Sequence, residues 1–237
     1  MSRPLLLDCG NSSCKYRFGE RSGRLADVNE VLECVRRFAP SEVVVSSVSR
    51  LGADIQDRLQ GSGVPVLNLA VVDGLLGLRL VYAEPQRLGV DRWLTMLALL
   101  ERGRPVVIID AGTALTIDVL SADRNHLGGY ILPGLALMRR ALVDDTFALP
   151  PVSQPGQLVP GTSTAECIAN GSVLALIGAV ESALAQSPVA AADVIWTGGD
   201  AAALRNLSAW PGEHHPQLIF EGMMTAIADP AYRASLV

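Results

Sequence analysis

The chain has 237 residues, of which 49% are hydrophobic and 18% charged, and it carries a net charge of −5 at neutral pH. This composition is globular rather than disordered, the length suffices for one large domain or two lobes, and the acidic balance without a long basic run argues against nucleic acid as a partner. No unbroken apolar run reaches the roughly 18 residues that span a bilayer, the opening before Asp8 is too short for a secretion signal, and Cys9, Cys14, Cys34 and Cys167 lack metal-site spacing. The expectation is a cytoplasmic protein with reduced thiols and no membrane partner.

Pro4-Leu5-Leu6-Leu7 reads as a buried strand ending in Asp8-Cys9-Gly10-Asn11-Ser12, and residues 14–18 alternate as its hairpin partner. Lys15, the single lysine of the chain, lies just past that turn; it either reaches a phosphate or is a surface lysine on a strand. Residues 19–23 are polar and turn-like. Val31, Leu32, Val35 and Phe38 have helical spacing and Pro40 stops them. Residues 42–48 are a β-branched strand, 53–60 a short helix ending at Gly61, and 64–72 another strand, which together imply a mixed sheet with helices against it.

A helix is then opened by Gly89-Val90-Asp91-Arg92 and runs to Gly103. Asp91, at its N-terminus, is either a capping carboxylate or a general base, with Gly89 giving backbone access and Arg92 a fork for a substrate carboxylate.

The stretch over residues 106–120 organises the chain. Val106 to Ile109 read as a fully buried strand, Asp110-Ala111-Gly112-Thr113 as a tight turn, and Leu115, Ile117 and Val119 as the return strand. An acid at a strand end followed by Gly and Thr can hold a cation while backbone N–H groups and a hydroxyl face a phosphate. The same Asp-x-Gly-[Asn/Thr] pattern at Asp8 and Asp110, about one domain length apart, suggests two similar α/β lobes, 1–104 and 105–237, with a cleft between them.

After that hairpin, Gly128-Gly129 bends into a short strand ending at Pro133-Gly134, and a helix begins over 135–142. Residues 144–160, rich in Pro, Ser and Gln, read as a long loop. Thr162, Ser163 and Thr164 start a helix that continues to Val180; its small residues Gly171, Ala175, Gly178 and Ala179 pack either inside the chain or against a partner subunit. A last strand leads to Thr197-Gly198-Gly199-Asp200-Ala201, where two glycines leave room for a base or ribose. His126, His214 and His215 read as surface or loop residues.

Asp8 to Ser12 with Lys15, Tyr82 with Gly89-Val90-Asp91-Arg92, Asp110 to Thr113, Gly128 to Gly134, Thr164 and Thr197 to Ala201 together resemble the type III pantothenate kinase family, within the acetate kinase, sugar kinase, Hsp70 and actin superfamily. The pieces fall in the family's order over most of the chain. The resemblance implies two ribonuclease-H-like lobes, each a mixed five-stranded sheet with helices, around a central ATP cleft. It implies a homodimer and ATP-dependent phosphorylation of pantothenate, the first step of coenzyme A synthesis. It further implies that Asp8, Cys9, Gly10, Asn11, Ser12, Ser13, Cys14, Lys15, Thr113, Gly198, Gly199 and Asp200 bind ATP. Asp8 would hold Mg2+ through water, Asp110 a monovalent cation (K+ or NH4+), and Asp91 would accept the proton. Tyr82, Gly89, Val90, Asp91, Arg92 and Thr164 would contact pantothenate. Ser12 stands where the family usually has Thr, which keeps the hydroxyl.

Two other readings stay open at this stage: a nucleotide-binding regulator on the same fold, and a kinase for another hydroxylated substrate such as a sugar. The dimer is expected to use the helices near 135–142 and 168–180.

Overall fold

Two compact units divide the computed structural model, which describes residues 3–10, 13–146 and 149–236. One unit comprises the chain up to Glu101 together with the segment from Gln217 onward; the other is Arg102–Pro216. The first boundary lies close to the expected one, but the C-terminal segment returns to the first unit instead of staying with the second.

In the first unit, β1 (Leu5–Cys9), β2 (Cys14–Phe18) and β3 (Arg21–Leu25) form an antiparallel meander, and β4 (Val43–Ser47) and β5 (Val66–Asn68) add parallel strands, in the order β3-β2-β1-β4-β5. The turn expected over residues 19–23 is largely strand. Its Arg-Ser-Gly-Arg run escapes an alternation reading because this edge strand is exposed until Leu25. α1 (Val28–Phe38) starts at Asp27, whose carboxylate accepts from the N–H groups of Asn29 and Glu30. α1 and α2 (Arg50–Gln60) send Val31, Val35, Ile55 and Leu59 onto Leu5, Leu7, Val43 and Val45. β5 is shorter than expected because the C-terminal chain takes over its backbone: the Ala70 N–H donates to the Tyr232 hydroxyl at 3.0 Å, and that hydroxyl donates to the Ala70 carbonyl at 2.7 Å. α3 (Val90–Leu97) ends earlier than its sequence pattern, and a separate 3-10 turn covers Leu100–Arg102.

The second unit repeats this topology. β6 (Val106–Ala111), β7 (Ala114–Leu120) and β8 (His126–Pro133) form the antiparallel meander, while β9 (Asp193–Thr197) and the short β10 (Glu213–His214) run parallel, in the order β10-β9-β6-β7-β8. α4 (Leu135–Asp144) follows β8, and residues 149–163 carry no regular element. α5 (Thr164–Ala185) is by length and composition able to cross a membrane, which the absence of an unbroken apolar run did not suggest. One face of it is core: Val173, Leu176, Ile177 and Val180 cluster with Val107, Ile109, Leu115, Ile117 and Trp196. α6 (Ala201–Arg205) follows β9.

The chain then returns to the first unit. α7 (Leu218–Ala228) packs along α3 and against β1, and α8 (Pro230–Ala234) places Tyr232 against Trp93, with ring centroids 5.6 Å apart.

Candidate functional site

Each sheet carries an acid one residue before the end of its first strand. Asp8 is the penultimate residue of β1, opposite Lys15 of β2, whose Nζ lies 3.9 Å from Asp8 Oδ2. The lysine is therefore tied to the acid at the hairpin, with about a third of its side chain exposed. Beyond Cys9 the Gly10 N–H donates to the Ser13 carbonyl at 3.2 Å, and the Ser49 hydroxyl at the start of α2 donates to the Cys9 carbonyl at 3.0 Å. Asn11 and Ser12 lie outside the described residues.

The segment before and at the start of α3 gathers a second group within the same unit. Asp91 sits in the first turn of α3, and its Oδ1 accepts from the Arg92 N–H at 2.8 Å. A Cβ on Gly89 would stand 2.4 Å from that same oxygen, so only glycine lets the carboxylate fold back over the helix start. The N-cap residue is Gly89, which has no side chain to cap with, and Asp91 in the first turn takes up one of the free N–H groups of the helix start. Arg92 is buried, and its Nη1 donates to the Tyr82 hydroxyl at 2.9 Å with the guanidinium over the Tyr82 ring. Tyr82 thus joins Gly89, Asp91 and Arg92 at the helix start in one cluster. Val90 is buried and holds the helix start in the core.

In the second unit the turn after Asp110 is bracketed by two others. The Asp200 N–H donates to the Ala111 carbonyl at 2.9 Å, and the Gly134 N–H donates to the Thr113 carbonyl at 2.9 Å. Gly198 has φ +95°, and a Cβ there would lie 2.4 Å from both Asp110 Oδ1 and the Ala111 carbonyl oxygen. Glycine is required twice over, by the left-handed backbone and by two oxygens converging on the vacant corner. A carboxylate and a carbonyl together are hard oxygen donors, the chemistry that suits an alkali or alkaline-earth cation. Among the described residues no three His, Cys, Asp or Glu side chains group to hold a metal. Gly199 is exposed, and Thr113 is exposed at the hairpin tip.

Thr164 opens α5, where Ser163 caps the helix by accepting from the Glu166 N–H, and Glu166 reaches back to Thr162. It lines a predominantly apolar cavity of about 750 Å3 between α4 and α5, with Pro133, Met138, Leu142, Cys167 and Ile168 among its walls. Thr164 belongs to the second unit, whereas the Tyr82 cluster belongs to the first.

His126 is a correction. It is buried, not a loop residue, and its Nε2 lies 3.0 Å from Asp118 Oδ1. The clue was an acid inside the otherwise apolar β7 run, but pairing it with His126 needs the β7–β8 register. The alternative of a wholly internal small-residue stripe on α5 also fails: Gly171, Leu174, Ala175 and Gly178 are exposed on the face turned from the core, and nothing stands near a Cβ at either glycine.

Residues 4–186 match the sequence profile of the family described as type III pantothenate kinase. A protein of that name from Acinetobacter baumannii is 36% identical over 214 residues, covering 84% of this chain and 86% of its own. Among solved structures, a Campylobacter jejuni protein described as a Baf family transcriptional activator superposes with a TM-score of 0.65 at 23% identity, covering 94% of this chain and 97% of its own. A Sinorhizobium meliloti protein described as a 2-dehydro-3-deoxygalactonokinase superposes at 0.59 with 17% identity, covering 94% and 98%. At such identities the two structures speak for the fold alone.

Proposed function

The chain belongs to the type III pantothenate kinase family, and from that premise we infer that it transfers the γ-phosphoryl group of ATP to the primary hydroxyl of pantothenate, opening coenzyme A synthesis in the cytoplasm. The observation that carries this reading is the family match, which spans both Asp-x-Gly hairpins and the Asp91 cluster. The geometry supports it, because Asp8, Asp110 and Gly198 lie at or next to strand ends and Asp91 at a helix start, where backbone N–H groups and carboxylates are available to ligands.

Phosphoryl transfer needs alignment and charge neutralisation more than covalent participation by the protein. In our reading the first hairpin, with Asp8, Gly10, Ser13 and Lys15, faces the phosphates, as does Thr113 from the second. Gly198, Gly199 and Asp200 accept the adenosine side of ATP. Tyr82 and Arg92 orient pantothenate, the guanidinium toward its carboxylate, with Thr164 as a further contact. Asp91 accepts the proton of the attacking hydroxyl as transfer proceeds, since an alcohol does not ionise beforehand near neutral pH. Mg2+, held by Asp8 through water, would neutralise phosphate charge. A monovalent cation would sit at Asp110, where Gly198 leaves carboxylate and carbonyl oxygens together.

We also propose a homodimer through α4 and α5. The exposed Gly171, Leu174, Ala175 and Gly178 face supports it, because small residues beside one exposed leucine suit close helix packing.

The test is ADP release with ATP and Mg2+, with and without pantothenate, in potassium and then in sodium buffer. Pantothenate-dependent turnover raised by potassium is expected. ATP binding without turnover in either buffer would overturn the kinase and favour a nucleotide-binding regulator.

A further inference from the structure

The residues at 9 and 14 can meet ATP only through their backbone, because the thiols of Cys9, Cys14 and Cys34 in the first unit are buried together in one apolar cluster. Cys9 ends β1, Cys14 opens β2, and the two are direct cross-strand partners. The next pair toward the tip, Gly10 and Ser13, is hydrogen-bonded. Bonded and non-bonded pairs alternate along an antiparallel ladder, so Cys9 and Cys14 form a non-bonded pair, whose Cα atoms stand about 4.5 Å apart. That lies inside the window of roughly 4.4 to 6.8 Å that a disulfide accepts. Both side chains also point to the same buried face. The two thiols sense one another: a hydrogen bond with Cys9, followed by burial, pushes the Cys14 thiol far above its ordinary range. Cys34, pushed up to about 11 by burial, lies on α1 and not across a strand.

We propose that Cys9 and Cys14 are an oxidisable dithiol, a modification site at the base of the first Asp-x-Gly-Asn hairpin that a small peroxide closes to a disulfide. One thiolate attacks a peroxide oxygen, the O–O bond breaks, and a sulfenic acid and hydroxide result. The second sulfur attacks the sulfenic sulfur, the S–O bond breaks, and the departing oxygen leaves as water with the second thiol's proton. Two thiols and one hydrogen peroxide become one disulfide and two waters, the thiols oxidised and the peroxide reduced.

Burial sets the kinetics. Bulky reagents are excluded, so closure is slow and proceeds through local opening of the strand ends. The adjoining register pair is Asp8 and Lys15, so the bridge fixes the separation of the two backbones that carry them. The functional consequence, and only that, rests on the reading of this hairpin as a nucleotide site: bound ATP should slow closure, and closure should alter ATP affinity.

The experiment uses the full chain carrying Cys167→Ser, which removes the exposed thiol. It is treated with hydrogen peroxide, denatured, alkylated and digested with trypsin. Cys9 and Cys14 fall in the same peptide, the one ending at Lys15. That peptide is expected to become lighter by two hydrogens and to lose both alkylation sites. The change should vanish in Cys9→Ser and Cys14→Ser and persist in Cys34→Ser, with thermal melting used to verify that each variant folds. Continued uptake of two alkyl groups after peroxide, oxidation without a bridge, or a bridge to Cys34 would overturn the proposal. A bridge that forms at the same rate with and without ATP and Mg2+ would leave the dithiol standing and count against the nucleotide reading of the hairpin.

Discussion

Asp91 sits at its own helix start, where the Arg92 N–H donates to its carboxylate and Gly89 leaves room for it. Asp91→Asn keeps the volume and the hydrogen bond to that N–H but removes the base we propose. We expect turnover to fall by about 10^2 to 10^4-fold with an unchanged melting temperature, measured by pantothenate-dependent ADP release; turnover at the wild-type rate would remove Asp91 from the mechanism. Gly198→Ala forces a side chain onto the Asp110 and Ala111 oxygens at a left-handed backbone. A loss of about 1–3 kcal/mol is expected in chemical denaturation, together with a weakened potassium response. Asp8 and Asp110 are legible one by one, because a carboxylate near the end of a buried apolar strand stands out from its surroundings. Asp118 and His126 are not, since their partnership exists only across the β7–β8 register.

At the scale of elements, strands with a buried face announce themselves and exposed edges do not. β6 is read directly from four aliphatic residues, whereas β3 has no apolar period to display. α7 lies in a part of the chain that carries no motif, and its role appears only where it meets α3. A Cβ on Gly222 would come within 1.9 Å of the Leu94 carbonyl oxygen. Gly222→Ala should therefore prise α7 from α3 and cost about 1–3 kcal/mol, read as a lowered melting temperature; a wild-type melt would refute that packing. A second element-level prediction concerns pH. Arg102 grips both oxygens of Glu213, at 2.8 and 2.6 Å, and this grip, aided by His215, holds the Glu213 carboxyl at about 2, below its usual 4.5. A depressed folded pKa stabilises above the unfolded value, and the gain is lost as pH falls from 4.5 toward about 2. The stability gap between wild type and Glu213→Gln in urea should be small, because the pair is exposed, and should close over that window. A gap that widens on acidification would contradict the pairing.

For the molecule as a whole, the two sheets share one strand order, and the chain leaves the first unit after Glu101 and comes back at Gln217. Leu174→Glu places a charge on the exposed small-residue face of α5 and is expected to turn a dimer into a monomer in light scattering at micromolar concentration; a wild-type monomer would refute the dimer itself. The sequence by itself determined the family, the two hairpins with Asp8 and Asp110, the acid at Asp91 and most helices, because each is a local pattern of apolar period, turn residue and spacing. Tertiary structure alone decided that the C-terminal helices belong with the first unit, that Asp118 and His126 are buried together, that Tyr82 meets Arg92, and which face of α5 is left open. These depend on residues from different segments being brought side by side, and no local pattern records which surface a helix or strand will cover.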